Sequence, residues 1–148
     1  RSLGIESSVL VAIMKHESGM NPAAVNKLGS GASGLIQFMP DTARGLGTSV
    51  EELRTMSAVD QLDYVYKYYK RLGARPGSTL GDMYMLTFLP LYAYRDENTV
   101  VGELGGGLLP GTRKLTKNAI YKQNPSFDHN RDGVFTIADV KRSVEKFA

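Results

Sequence analysis

Apolar side chains recur at helical spacing along much of this 148-residue chain. Within residues 6–17 they line one side of a helix with a period of about 3.6 residues, at Val9, Leu10, Ile13 and Met14. Glu17 follows at the spacing that places it on the same face, and Ser18-Gly19 predicts the end of the helix. The pattern therefore puts a carboxylate on the apolar side of the first helix.

The rest of the chain also favours helices. A loop rich in Gly, Ala, Ser and Asn leads to a helical segment predicted over residues 34–46. Capping boxes then predict helix starts at Thr48 with Glu51 or Ser49 with Glu52, at Ser57 with Asp60, and at Thr79 with Asp82. Gly73 is the expected stop of the Ser57 helix, and Pro90 ends or kinks the next one.

Two further helices are predicted towards the C-terminus. One lies within residues 114–125, and the last carries an apolar stripe of Ile137, Val140, Val144 and Phe147. No segment of strict alternation competes with these helices. We therefore predict a mainly α fold.

Composition narrows the class of protein. The hydrophobic fraction of 42% and the charged fraction of 22% are those of a globular domain that folds. The absence of cysteine excludes disulfides, a thiol nucleophile and a zinc–thiolate site. A net charge of +3 is a mild excess, compatible with an anionic polymer or with an ordinary solvated surface. We expect neither a membrane span nor a nucleic-acid partner.

Glu17 is the first candidate for chemistry. Cleavage of a glycosidic bond needs an acid that protonates the leaving oxygen, and an apolar setting raises the pKa of a carboxyl so that it keeps its proton. On the residues alone, a structural carboxylate in an ion pair or a hydrogen bond to a loop is the better interpretation.

Two sequence motifs, one after the other, favour the catalytic role of Glu17 over the structural one. E-S-G-M-N-P-x-A-V-N begins at Glu17, and G-L-I-Q-F-M-P-x-T-A begins at Gly34. Over residues 6–72 the chain resembles the soluble lytic transglycosylase (SLT) family, which is related in fold to goose-type lysozyme. The resemblance implies a lysozyme-like helical domain in which Glu17 is the general acid and later the base, and Ser18 supports either the acid or the active-site loop. It also implies that Gly34, Leu35 and Ile36 shape the cleft and that Gln37 contacts a sugar N-acetyl or hydroxyl group.

A third family motif, A-Y-N followed by small residues, is matched only in part. The nearest segment is Ala93-Tyr94-Arg95, without the Asn-Ala-Gly continuation. The resemblance therefore assigns a substrate-binding role to Tyr94, with Tyr92 as its alternative. Four other tyrosines on the Ser57 helix are expected to be core or groove wall: Tyr64, Tyr66, Tyr68 and Tyr69.

The reaction that the resemblance implies is non-hydrolytic cleavage between N-acetylmuramic acid and N-acetylglucosamine in peptidoglycan, which leaves 1,6-anhydromuramyl ends. One alternative is a hydrolytic muramidase, in effect a goose-type lysozyme. It would need a second carboxylate roughly 6.5–9.5 Å from the first if it inverts, and Asp41, Asp96 and Glu97 stay open for that role. The other alternative is a non-enzymatic wall-binding or virion structural module.

Residues 128–139 follow the twelve-position calcium loop of EF-hand type. The ligand positions hold Asp128, Asn130, Asp132, the Val134 carbonyl, Thr136 and Asp139, and Gly133 occupies the turn position. Asp139 stands where a Glu is usual, as in dockerin-like loops. We predict a structural calcium ion and no cofactor for catalysis. The competing interpretation is an Asp/Asn/Gly turn that precedes a capped helix.

These patterns give the predicted organisation. Residues 1–122 form the lysozyme-like domain, and residues 123–148 contribute the calcium loop and a C-terminal helix that pack on it. The chain begins without Met and shows no targeting signal. With the partial third motif and the calcium loop, this resembles the wall-degrading domains of bacteriophage tail or virion proteins. We expect the protein at the periplasm or cell wall, or associated with a virion.

Overall fold

The computed structural model describes residues 3–26 and 28–146. Its described part is rich in helix, with a single two-stranded sheet, so the mainly α prediction is confirmed. The chain divides into two compact units, the first ending at Leu80 and the second beginning at Gly81. Seven α-helices are present among the described residues: α1 (Ser7–Ser18), α2 (Pro40–Gly45), α3 (Val50–Thr55), α4 (Ala58–Leu72), α5 (Leu80–Phe88), α6 (Lys117–Gln123) and α7 (Ile137–Glu145).

Helix α1 ends where the sequence predicts. Gly19 adopts a left-handed conformation with φ of 63°, and its N–H donates to the Lys15 carbonyl at 2.9 Å. The next N–H, of Met20, donates to the Met14 carbonyl at 3.2 Å. These bonds satisfy carbonyls that the last turn would otherwise leave open. Ile13 and Met14 are buried, which confirms the apolar face.

The helix predicted over residues 34–46 is wrong in its first half, because α2 begins only at Pro40. Met39 is extended, as the residue before a proline prefers to be, and Gln37 is left-handed with φ of 59°. Ser33 and Phe38 instead form an antiparallel bridge. Residues 33–38 are therefore a tight turn, which we call the 33–38 loop, and helix starts where Pro40 can occupy the first turn.

The predicted starts of the next two helices are confirmed, and one alternative is resolved. The Ser49 side chain accepts a hydrogen bond from the Glu52 N–H, so Ser49 rather than Thr48 caps α3. Ser57 caps α4 in the same way through Asp60, and Gly73 ends α4 with φ of 88°. The core of the first unit includes apolar residues from α1, the 33–38 loop and the helices that follow: Ile13, Met14, Leu35, Ile36, Phe38, Ala43, Leu53, Val65 and Tyr69.

The second unit contains the two strands that the sequence did not predict. Strands β1 (Val100–Glu103) and β2 (Val134–Thr136) pair antiparallel, with Gly102 opposite Phe135. Strands of three and four residues are too short to show a clear alternation of apolar and polar positions. Glycine is required at position 102 because the Phe135 ring occupies the place of a side chain.

Helix α5 ends at Phe88 and a 3-10 turn spans Pro90–Tyr92, in agreement with the break predicted at Pro90. Helix α7 buries Ile137, Val140 and Val144, while Phe147 of the predicted stripe lies outside the described residues. One apolar cluster joins residues on both sides of the predicted boundary at residue 122: Met85, Leu89, Tyr92, Val101, Leu109, Ile120, Phe127, Phe135, Ile137 and Val140. The boundary itself stays a prediction. None of the described helices is long and apolar enough to cross a membrane.

Candidate active site

Glu17 lies in the last turn of α1 and is exposed, whereas Ile13 and Met14 on the same helix are buried. The prediction that Glu17 lies on the apolar face of α1 is therefore met only in part, because Glu17 itself is exposed. Partial loss of solvent around the carboxyl still raises its pKa, and the charge of neighbouring His16 opposes that rise. The group thus retains a proton to a higher pH than an ordinary glutamate.

Ser18, the neighbour of Glu17, joins α1 to the 33–38 loop. Its hydroxyl lies 2.7 Å from the Leu35 carbonyl and 3.0 Å from the Met14 carbonyl of its own helix. A hydroxyl has one proton, so it donates to one of these acceptors at a time. The shorter contact fixes the main chain of the loop next to the residue that carries the acid.

The loop residues assigned to the cleft are mostly buried. Leu35 and Ile36 are 1% and 8% exposed, so their side chains belong to the core and the loop can present mainly backbone. The Gln37 amide donates to the carbonyls of Gly34 at 2.9 Å and Ala24 at 3.3 Å. This amide braces the loop, and its carbonyl oxygen is the part of Gln37 that remains for a sugar.

Gln61 is a residue of this site that the sequence reasoning missed. It is completely buried on α4, and its side-chain oxygen accepts a hydrogen bond from the Leu35 N–H at 3.0 Å. A signal for it exists in the sequence, because Gln61 occupies the same face of α4 as Val65 and Tyr69, four and eight residues later. A polar side chain on a buried helix face requires hydrogen-bond partners.

The Gln61 side chain also leaves no space for a side chain at Gly34. The Gly34 φ of +91° suits glycine, and an added Cβ would lie 2.7 Å from the Gln61 side-chain oxygen. The glycine of the second motif is therefore explained by conformation and by space. It allows the loop to approach α4 closely enough for the hydrogen bond to Leu35.

The charge of Glu17 contributes to the raised pKa of two tyrosines on α4. Burial raises the pKa of Tyr68, and the charge of Glu17 raises it further. For Tyr69, burial and then the charges of Tyr68 and Glu17 raise the pKa. The Tyr68 ring packs edge-on against Phe38 at 5.9 Å. Tyr69 is a core residue, within the expectation of core or groove wall, and Phe38 also belongs to the core, whereas Met39 is 47% exposed.

The two tyrosines considered for the third motif differ within the second unit. Tyr92 is 3% exposed, and its hydroxyl donates to the Pro110 carbonyl at 2.5 Å. Tyr94 is half-exposed and left-handed, with φ of 63°. The buried position of Tyr92 gives it a packing role, and Tyr94 has the more accessible side chain of the two.

The carboxylates that stayed open for a hydrolytic role have local partners. Asp41 pairs with Arg44 on α2. Asp96 accepts a hydrogen bond from the Asn98 N–H at 2.8 Å, and Glu97 lies 3.4 Å from the Lys141 ammonium. Lys141 also pairs with Asp82 at 2.7 Å, so this cluster links α7 to α5. Each of the three carboxylates therefore has a partner close to it in the structure.

The predicted calcium loop is organised around Asp128, which is 5% exposed. Its carboxylate accepts hydrogen bonds from the Tyr121 hydroxyl at 2.6 Å, from the Gly133 N–H at 2.8 Å and from the Asp132 N–H at 3.3 Å. The Tyr121 bond is the main reason why the pKa of Asp128 lies below its ordinary value. Gly133 is left-handed, with φ of +85°, as the turn position requires.

The remaining loop residues make local bonds. Asp132 accepts from the Val134 N–H at 3.1 Å, and Thr136 with Asp139 forms a capping box that opens α7. Asn130 is exposed. No three acidic or histidine side chains within residues 3–26 and 28–146 come together as a metal-binding group. The described residues therefore show the capped turn of the competing interpretation, and the calcium site stays a prediction.

Residues 1–80 match the family model of the transglycosylase SLT domain, which covers more than half of the chain and includes the motifs that begin at Glu17 and Gly34. The matched region ends at the division between the two compact units. No solved structure matches the chain.

Proposed function

The chain belongs to the transglycosylase SLT domain family, and from that premise we propose that Glu17 is the acid with which this peptidoglycan lytic transglycosylase cleaves the bond between N-acetylmuramic acid and N-acetylglucosamine. The observation that carries the proposal is the position of Glu17 within the matched region, next to Ser18, whose hydroxyl holds the 33–38 loop. Partial loss of solvent also raises the pKa of the Glu17 carboxyl. A carboxyl that keeps its proton can donate it to a leaving oxygen.

In the proposed reaction the Glu17 carboxyl donates its proton to the oxygen that links C1 of the muramyl residue to the glucosamine. The C1–O bond breaks, and C1 acquires oxocarbenium character. The muramyl C6 hydroxyl then attacks C1 and releases its proton to the Glu17 carboxylate. The products are a free glucosamine hydroxyl and a 1,6-anhydromuramyl end, and Glu17 is again protonated.

One catalytic carboxyl is sufficient for this reaction because the nucleophile belongs to the substrate. That requirement fits the local partners of Asp41, Asp96 and Glu97. Within the 33–38 loop, the Gln37 side-chain oxygen and the backbone of Gly34, Leu35 and Ile36 are the proposed contacts to sugar. Tyr94, the tyrosine of the partial third motif, is also a proposed substrate contact.

The test is mass spectrometry of the fragments that the wild-type protein and Glu17→Gln release from purified peptidoglycan. We expect anhydromuramyl ends from the wild type and a loss of about 10²- to 10⁴-fold in the variant, the usual contribution of a general acid. Glu6→Gln is the matched control, since it makes the same change at an exposed position just before α1. It should leave the products unchanged.

Other products would change the assignment. Reducing muramyl ends would identify a hydrolytic muramidase and start a search for the group that activates water. If the wild type binds the wall and releases no fragments, a wall-binding or virion module is the better description. Full activity in Glu17→Gln would remove Glu17 as the acid.

The place of action that we propose is the cell wall, reached either from the periplasm or from a virion. The substrate is peptidoglycan, and both routes expose the protein to it. Detection of the chain in purified virions, or in the periplasmic fraction of a host without them, distinguishes the two.

We also propose that residues 128–139 bind a structural calcium ion. The support is the ligand pattern together with the buried Asp128 and the left-handed Gly133. No three acidic side chains of the described residues lie close enough together to hold a metal ion. Ion binding must therefore draw Asp132 and Asp139 towards Asp128. The ion would hold α7 against the turn that precedes it and would take no part in cleavage.

A further inference from the structure

Gln61 connects four segments of the first unit. Its side-chain oxygen accepts from the Leu35 N–H at 3.0 Å, and its side-chain nitrogen lies 2.6 Å from the Pro22 carbonyl and 2.7 Å from the Leu53 carbonyl. Gln61 itself lies on α4, Leu53 on α3, Leu35 in the 33–38 loop and Pro22 in the segment after α1. The Gln61 side chain therefore holds both the segment that follows α1 and the 33–38 loop.

Both the nitrogen and the oxygen of the Gln61 amide have hydrogen-bond partners. A glutamine has two N–H donors and one carbonyl acceptor, and in Gln61 the two donors face two carbonyls while the oxygen meets one N–H. The residue is 0% exposed, so no solvent replaces a lost partner. A buried amide with this many partners holds its surroundings in one arrangement, because each alternative leaves a polar group without a partner.

The Leu35 backbone links Gln61 to the helix that carries Glu17. The Leu35 N–H is held by Gln61, and the Leu35 carbonyl is held by Ser18, the residue next to Glu17. Both sides of the Leu35 backbone are thus fixed, one to α4 and one to α1. Gly34 brings its main chain directly against the Gln61 amide, which places the glycine of the second motif in the same assembly.

We propose that Gln61 is a positioning residue for cleavage: through Leu35 and Ser18 it holds the 33–38 loop at the distance from Glu17 that the reaction requires. The inference rests on the proposed function of Glu17 and extends it to a residue outside both motifs. Gln61 does not touch the sugar, and its effect passes through the loop. In this proposal the loop also limits the access of solvent to the Glu17 carboxyl, so that a displaced loop lowers the pKa of that group.

The experiment compares Gln61→Met, Gln61→Glu and Val65→Ala with the wild type on soluble, uncrosslinked glycan strands. Gln61→Met keeps the length of the side chain and removes all three bonds. Gln61→Glu keeps an acceptor for Leu35 and, when it holds a proton, one donor for a carbonyl. Val65→Ala is the matched control, because it opens a cavity in the same buried face of α4 without removing a hydrogen bond.

We expect Gln61→Met to lower kcat by roughly 10- to 100-fold with little change in KM, the cost of a small misplacement of catalytic groups. The basic limb of the pH profile of kcat/KM should move to lower pH. The titratable neighbours whose charge couples to Glu17 are His16, Tyr68 and Tyr69, and all three are retained in these variants. Gln61→Glu should be intermediate, and Val65→Ala should lower the melting temperature while the basic limb stays in place.

Two results overturn the role of Gln61 and leave the proposed function of Glu17 untouched. The first is a folded Gln61→Met variant that keeps the wild-type kcat and the wild-type basic limb. The second is a Val65→Ala variant whose basic limb moves as far as that of Gln61→Met, because Gln61 would then be only a structural residue. If Gln61→Met fails to fold, Gln61→Glu decides in the same way, since wild-type kcat and limb in that variant also overturn it. A wild type that releases no fragments from peptidoglycan overturns the proposed function and this inference together.

Discussion

The hydroxyl of Ser18 lies 2.7 Å from the carbonyl of Leu35, across 17 residues of sequence. This contact joins the last residue of α1 to the 33–38 loop and places the two sequence motifs in direct contact. The partner carbonyl belongs to a residue that is only 1% exposed. An acceptor in that position has no easy replacement from solvent, so the contact matters for both stability and geometry.

Ser18→Ala should therefore lower the free energy of unfolding by about 1–3 kcal/mol, the cost of a buried acceptor without its donor. We expect a lower melting temperature together with slower release of peptidoglycan fragments. Ser8→Ala is the control, because Ser8 is exposed on the same helix. Equal melting temperatures for the two variants would show that the Leu35 contact contributes nothing.

The raised pKa of Glu17 predicts a pH dependence of stability. A carboxyl whose pKa is higher in the folded state binds more protons folded than unfolded, so stability falls as pH rises between the two pKa values. Glu17→Gln lacks this penalty. Its melting temperature should exceed that of the wild type at pH 7, and the difference should disappear below the ordinary glutamate pKa of 4.5. The measurement is thermal unfolding from pH 3.5 to 8, and a constant difference over that range would show that protonation of Glu17 is not its cause.

Much of the first unit could be predicted from sequence because its signals are local. The end of α1 at Gly19, the Ser57 cap and the stop at Gly73 each depend on residues within one or two turns. The 33–38 loop was predicted as helix because its apolar content is high, whereas the bridge between Ser33 and Phe38 and the left-handed Gln37 override that tendency. Tertiary contacts decide such a segment.

The family was predictable from the sequence, whereas the hydrogen bonds around the candidate site were not. The motifs that begin at Glu17 and Gly34 identify the family, and the family match over residues 1–80 confirms it. Gln61 was missed because its three partners lie up to 39 residues away and no local rule selects them. The short strand β1 was missed for a related reason, since its partner β2 lies inside the segment predicted to be a calcium loop.

Gly34→Ala and Gly73→Ala test the close approach of the loop to α4. Both glycines have φ near +90°, so both variants carry a similar backbone cost of about 1–2 kcal/mol. At Gly73 a new Cβ meets nothing within 4 Å, whereas at Gly34 it meets the Gln61 amide at 2.7 Å. Gly34→Ala should therefore lose a further ~1–3 kcal/mol by denaturant unfolding. Equal losses would mean that the loop moves aside without cost.

Tyr92→Phe and Tyr94→Phe should have opposite profiles. Tyr92→Phe removes a buried donor from the Pro110 carbonyl and should cost about 1 kcal/mol of stability, with fragment release near the wild-type rate. Tyr94→Phe should reduce fragment release more than it reduces the melting temperature, because Tyr94 is the half-exposed tyrosine of the partial third motif. Loss of activity in Tyr92→Phe alone would reverse the assignment of these two residues.

Calcium added to the metal-stripped protein should raise its melting temperature, because an ion that binds only the folded state stabilises it by mass action, by ~2.7 kcal/mol at a hundredfold excess over Kd. Asp128→Asn should abolish the shift, since it removes a charge from the buried first position of the loop. Glu51→Gln, an exposed carboxylate of α3, should keep it. Magnesium should act less strongly, because its smaller octahedral shell fits a twelve-residue loop poorly. A wild type that is indifferent to calcium would leave residues 128–139 as a capped turn, held by the Tyr121–Asp128 hydrogen bond and the Thr136–Asp139 capping box alone.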